Sequence, residues 1–237
     1  SSMAKEMDLV IVRENTEGFY AARTMFEGNG EFMPNPDLAM SLRKISVHGS
    51  RRIAKVAFDL ARIRRKKVTV VHKGNVLRLT DGLFLREVRS VAETYPEVEV
   101  DEVIVDAMAA LLIREPERFD VVLTTNMFGD IITDLGAMIQ GGMGVAAGGN
   151  INPDPGGTSM FECMGGSAPK YTGQNVINPL AAICSGALML ETIGEDEAAK
   201  AIENTVISVT REKIKDLGAG RMGYSTTEVG DLVASAL

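Results

Sequence analysis

Asp130 and Asp134 are four residues apart in a stretch that reads Asn126-Met127-Phe128-Gly129-Asp130-Ile131-Ile132-Thr133-Asp134. Residues at that spacing share one face of a helix, one turn apart. The run ahead of them, residues 119–125, is apolar and β-branched, as suits a strand buried on both faces. Gly129 reads as the break between that strand and a helix over 130–140, with Asp130 in its first turn, where the helix dipole favours a carboxylate. Two carboxylates on one helix face, at the carboxyl end of a strand, form an all-oxygen site suited to Mg²⁺ or Mn²⁺. The competing reading is a capping Asp130 and a solvated Asp134 on an ordinary surface helix.

Three further residues stand where chemistry gathers. Arg13 ends a buried strand over residues 8–12, and its forked guanidinium can hold a carboxylate, or pair with Glu14 on the surface. Lys73 follows a strand over 67–71; in a dry or cationic pocket it can act as an acid or base, and otherwise it is a loop lysine. Asp106 follows a strand over 98–105 and can equally cap the helix over 107–114.

The elements that must position these residues alternate. Helices are expected over 50–65, with Ser50 as its cap, and 80–95, opened by Thr80-Asp81-Gly82. Strand and helix succeed one another at βαβ spacing up to about Gly142, which argues an α/β fold with a parallel component, and the chain then turns helical. Residues 21–36 read as an arm or hairpin and 41–47 as a short strand. The glycine-rich run 141–149 reads as a crossover into a second layer. A long loop over 159–179 follows; its glycines free N–H groups for a phosphate or nucleotide, although no G-x-G-x-x-G is present. Helices over 179–193 and 195–215 and one from Thr226 or Thr227 complete the chain.

The 237 residues carry a net charge of −7, which argues against a nucleic-acid backbone as partner. The basic run at 62–67 reads as a solvated helix end. Two cysteines give neither a disulfide framework nor metal-ligand spacing, and no apolar run is long enough for a bilayer, so a cytoplasmic setting with no membrane partner is expected. The chain opens abruptly, with a buried strand a few residues in, as a part of a longer chain would.

Five motifs, in order, resemble the isocitrate/isopropylmalate (β-decarboxylating) dehydrogenase family. They are Val12-Arg13-Glu14-Asn15-Thr16-Glu17-Gly18 with Tyr20; His72-Lys73-Gly74-Asn75-Val76; Asp106-Ala107-Met108; Asn126-Met127-Phe128-Gly129-Asp130 with Asp134; and Gly166-Ser167-Ala168-Pro169-Lys170-Tyr171-Thr172-Gly173 with Asn178-Pro179. The resemblance covers essentially the whole chain. It implies an isopropylmalate dehydrogenase-like α/β fold of two domains, with parallel and mixed sheets flanked by helices. Residues 1–140 would form the small domain, for dimerisation, metal and substrate. Residues 141–237 would form the C-terminal part of the large nucleotide-binding domain, whose N-terminal part is missing here.

By the same resemblance, Arg13 and Asn75 bind substrate, Lys73 takes the hydroxyl proton and Tyr20 protonates the decarboxylated enol. Asp130 and Asp134, with Asp106 of the partner subunit, hold Mg²⁺ or Mn²⁺. Lys73 also serves the partner's site, so the active sites are shared across a homodimer. Gly165, Gly166, Ser167, Ala168, Pro169, Lys170, Tyr171 and Asn178 contact NAD or NADP. Lys170-Tyr171 leans towards NADP, because a lysine suits the 2′-phosphate. Two departures stand out: the family's opening third is absent, and Gly165 replaces a histidine usual in the nucleotide loop.

The function implied is oxidative decarboxylation of a 3-substituted malate, a small 2-hydroxy acid. 3-Isopropylmalate is the first choice, with isocitrate, homoisocitrate or tartrate/malate behind it. The rivals are a catalytically silent regulatory subunit, which Gly165 favours, and a dimerisation module that binds neither metal nor nucleotide.

Overall fold

The computed structural model describes residues 7–20 and 25–237. These fall into two compact units, residues 1–135 and 136–237. In the first, the chain order is β1 (Val10–Arg13), β2 (Glu31–Asn35), β3 (Leu38–Ser41), α1 (Val47–Ile63), β4 (Lys67–His72) and α2 (Thr80–Ala92). Then come β5 (Glu99–Ile104), α3 (Val105–Arg114), β6 (Val121–Thr124) and α4 (Asn126–Gln140), which runs past the boundary. The apolar runs make one sheet in the order β1-β6-β4-β5, with every pairing parallel. All four strands therefore end at the same edge, which is where α/β sheets collect their ligand-binding residues.

Side chains alternate across this sheet with period two. Val68 and Val70 of β4 and Val121 and Leu123 of β6 pack with Ala54, Ala57 and Phe58 of α1 and Phe84 and Val88 of α2. The intervening Thr69, Val71, Val122 and Thr124 are just as buried, and the Thr124 hydroxyl donates to the Val71 carbonyl at 3.0 Å. Both faces are covered, as an all-parallel sheet requires.

Phe58 stacks on Tyr95 at 5.2 Å between centroids, and the Tyr95 hydroxyl donates to Asp59 at 2.8 Å. Burial first, then the Asp59 carboxylate, holds this phenol above its ordinary value of 10.0. A group whose folded pKa is raised stabilises fully below its unfolded pKa, and that stability is lost as pH rises through the folded value. Thermal melts should therefore show the native protein losing stability above about pH 10 more steeply than Tyr95→Phe. Parallel curves would remove Tyr95 from the alkaline limb.

Several expectations shift on the structure. Helix α1 starts at Val47, capped by Ser46, whose hydroxyl accepts the Gly49 N–H at 3.0 Å; Ser50 lies inside the helix. Instead of a strand over 41–47, β3 ends at Ser41, and Lys44 then forms one antiparallel bridge with Gly18. The expected arm over 21–36 holds only β2, whose hairpin partner β3 lies beyond it, while residues 21–24 and the opening 1–6 lie outside the described residues. The basic run is largely exposed, as a solvated helix end is, but part of it is anchored. Arg64 Nε and the Arg65 backbone N–H both donate to buried Asp120, each at 2.8 Å, and close α1 onto the start of β6.

In the second unit the chain is not purely helical. β7 (Ala147–Asn150) and β8 (Met160–Cys163) form an antiparallel hairpin, so the glycine-rich run and part of the long loop are extended. The very apolar α5 (Leu180–Thr192) packs against this hairpin, with Ser185 donating to the Glu162 carbonyl at 2.8 Å. Leu180, Val206, Val209, Met222, Val229 and Val233 form the core shared by α5, α6 (Asp196–Glu212) and α7 (Thr226–Ala236). Ser225 and Glu228 make a full capping box at the start of α7.

Candidate active site

Arg13 leaves the end of β1 and meets the start of α4. Its Nε and Nη2 donate to Asn126 Oδ1 at 3.0 and 2.7 Å, and its Nη1 donates to Asp130 Oδ1 at 2.5 Å. The other oxygen of Asp130 accepts the Tyr20 hydroxyl at 3.0 Å, and the guanidinium lies 5.6 Å from the Tyr20 ring centre. Asn126 is 1% exposed, and its amide donates to the Glu17 carbonyl at 2.9 Å, which fixes which way its oxygen points. All three guanidinium nitrogens are thus engaged, which fixes the plane of the group.

Gly129 is not a break. The helix begins at Asn126, so Asp130 sits in its second turn and Gly129 one turn after Thr125, whose carbonyl accepts its N–H at 2.9 Å. A Cβ at 129 would lie 2.5 Å from Arg13 Cγ and 2.8 Å from Arg13 Cβ. The glycine is there to let the arginine stem pass.

Lys73 stands at the end of β4. Its ammonium bonds Asp106, in the first turn of α3. That ammonium, and then the helix's own backbone N–H, hold the Asp106 carboxyl below the usual aspartate value. The turn after Lys73 is fixed from below: the Lys73 N–H donates to Asp81 Oδ2 at 2.6 Å and the Gly74 N–H to His72 Nδ1 at 3.0 Å. Asn75 is exposed at the tip of this turn.

Arg13, Tyr20 and Asp130 thus form one bonded group, and Lys73 with Asp106 another. Asp134 is exposed one helical turn beyond Asp130, giving an all-oxygen pair on one face of α4 that fits a hard divalent cation. Among the described residues no three carboxylate, histidine or cysteine side chains of this chain gather as a complete ligand set.

In the second unit, residues 165–167 and 169–170 are exposed. Gly166 and Ala168 turn the backbone with φ of 60° and 42°, the second unusual for a residue with a side chain. Lys170 Nζ lies 5.3 Å from the Tyr171 ring centre, so this pair is one unit. A Cβ at Gly165 would come within 3.3 Å of Met143 Cβ, so a larger residue needs that methionine to give way. Asn178 stands apart from the loop's surface: it is buried, donating to the Leu217 carbonyl at 3.1 Å and accepting the Leu180 N–H at 3.0 Å.

Sequence reasoning missed the supports. Asn126 was inside a quoted motif without a role, and a buried asparagine at a strand end was the available signal. Arg43 and Asp81 carried none beyond the helix-opening Thr80-Asp81-Gly82.

This is an α/β protein whose polar cluster lies at the carboxyl ends of parallel strands. The chain belongs to the isocitrate/isopropylmalate dehydrogenase family, whose model matches residues 1–233. It is 42% identical over 238 residues to a 3-isopropylmalate dehydrogenase of Corynebacterium urealyticum, covering 99% of this chain and 66% of that one. It is 44% identical to the enzyme of the same name from Mycobacterium bovis, over 98% of this chain and 66% of the relative. Among solved structures, an isocitrate dehydrogenase from Methylococcus capsulatus superposes with a TM-score of 0.88 at 40% identity, covering 98% of this chain and 68% of that one. The chain therefore spans slightly less than two thirds of the curated relatives' length.

Proposed function

We propose that the full-length protein catalyses NAD(P)⁺-dependent oxidative decarboxylation of a 3-substituted malate, with 3-isopropylmalate as the first choice among its substrates. The observation that carries this reading is the convergence of Arg13 and Tyr20 on one carboxylate, Asp130. An anion-binding fork, a proton donor and a hard metal ligand are three of the groups such a reaction needs, and they sit in direct contact.

The residues divide the work. Arg13 holds a substrate carboxylate through its guanidinium, whose plane Asn126 keeps fixed. Lys73 accepts the proton of the C2 hydroxyl as that carbon is oxidised. Tyr20 returns a proton to carbon after CO₂ has left; the Arg13 cation beside it favours the phenolate this produces. Asp130 and Asp134, with Asp106 of the partner subunit, hold Mg²⁺ or Mn²⁺. A bound metal would supply Lewis-acid stabilisation of developing negative charge, and a bound nicotinamide would serve as the hydride acceptor. Residues 165–171 hold the nucleotide, and Lys170 favours NADP.

The bond of Lys73 to Asp106, and not to the Asp130 group, supports a homodimer in which each site draws on both copies. Gly165 supports the second reading, a silent regulatory subunit, since it leaves the nucleotide loop without an imidazole.

Steady-state reduction of NADP⁺ and NAD⁺ with Mn²⁺, across 3-isopropylmalate, isocitrate, homoisocitrate, tartrate and malate, tests the proposal on the full-length protein. Turnover of one acid is the expected result. A folded protein that binds Mn²⁺ but turns over none of them is the silent subunit.

A further inference from the structure

Arg43 belongs to none of the motifs, yet its guanidinium touches all three segments that carry the site. Its side chain is 7% exposed, and that of its partner Asp81 is fully buried. Nη1 donates to Asp81 Oδ1 at 2.5 Å and to the Thr80 hydroxyl at 2.7 Å. The second oxygen of Asp81 accepts the backbone N–H of Lys73. Nη2 donates to the Thr125 hydroxyl at 2.9 Å, one residue before Asn126. The same guanidinium lies 5.4 Å from the ring centre of Phe128 in α4 and 6.0 Å from that of Phe19, beside Tyr20.

We propose that Arg43 and Asp81 are positioning residues that lock the Lys73 turn to the start of α4. A buried arginine seldom occurs without a charge partner, and its planar fork fixes direction as well as distance. Here one edge of the fork sets where Lys73 leaves β4, and the other sets where Asn126, and through it Arg13, begins. A shift of the guanidinium must move both groups together. The role given to Lys73 and Arg13 rests on the proposed dehydrogenase reaction, but the mechanical link does not.

The test therefore has two readouts on the full-length protein. Amide hydrogen exchange is followed in Asp81→Asn and, because that change strands a buried cation and can prevent folding, in Arg43→Lys, which keeps the charge and loses the fork. Exchange should quicken at residues 73–77 and 125–129 together, while α1 keeps its native protection. Quickening at only one of the two segments, or uniformly through the first unit, overturns the lock. In the turnover assay kcat should fall severalfold, with the acid limb of its pH profile displaced and Lys170-dependent NADP⁺ binding unchanged. If the native protein shows no turnover, the dehydrogenase reading fails, and the exchange result still decides the link.

Discussion

Asp130→Asn should all but abolish turnover while barely moving the melting temperature. The carboxylate takes Arg13 on one oxygen and Tyr20 on the other, and its side chain is 49% exposed. An ion pair that wet contributes only about 0.2–1 kcal/mol, so Tm should drop by no more than roughly 4 °C. Loss of a Lewis-acid site removes several kcal/mol from transition-state stabilisation; about 4 kcal/mol corresponds to roughly a thousandfold in rate. Mn²⁺ titration and turnover, measured on the same samples, separate the causes. Unchanged Mn²⁺ affinity with unchanged turnover would sink the metal assignment. Unchanged affinity with lost turnover would assign Asp130 to orienting Arg13 and Tyr20 instead.

The second large effect comes from adding a single methyl group. Gly129→Ala should lose stability even though alanine favours a helix interior over glycine by about 1 kcal/mol. The added carbon would meet Arg13 Cγ at 2.5 Å, Cβ at 2.8 Å and Cδ at 2.9 Å. These atoms are the root of the side chain, fixed by β1, and cannot swing aside as a guanidinium tip could. Overpacking of that kind costs about 1–3 kcal/mol, which outweighs the propensity gain, and Gly129→Val should be worse. The displaced arginine also loses its charged hydrogen bond to the substrate carboxylate, worth about 1.5–3 kcal/mol, so KM for the acid should rise roughly tenfold or more while nucleotide affinity holds. A Gly129→Ala protein as stable as the native one, with the same KM, would show that packing does not fix Arg13.

Gly129 also marks where a sequence stops being legible. A glycine between an apolar run and a polar one reads as a break, because its other use, close approach of a distant side chain, leaves no local trace. Strands β4 and β6 were plain, since Val68 to Val71 is wholly β-branched and Val121 to Leu123 is an unbroken apolar run. The residues that end those strands, Arg13, Lys73 and Asp130, could be picked out by position and type. Their supports could not. Ser46 was hidden as a cap because Val47, His48 and Gly49 are poor helix formers, and its other bond, to Glu17, is long-range. Arg43 and Asp81 meet across the intervening hairpin-to-helix segment, α1 and β4, and no periodicity announces that an arginine is buried. The hairpin β7–β8 was concealed by glycines at 148 and 149, the second of which lets Phe161 pack against bare backbone.

The parallel sheet has a consequence for when the site can exist. β1 is one of the sheet's two edge strands and pairs, among the described residues, with β6, Val10 against Val121 through Arg13 against Thr124. Nearly the whole of the first unit must be made before that pairing can close, and contacts so distant along the chain are the slow ones to form. The β2–β3 hairpin can form long before. During synthesis, then, Arg13 and Tyr20 wait without their partners until Thr124, Asn126 and Asp130 have left the ribosome. The cluster is a late event in folding, and a nascent chain that stalls short of β6 leaves β1 as a bare edge open to aggregation.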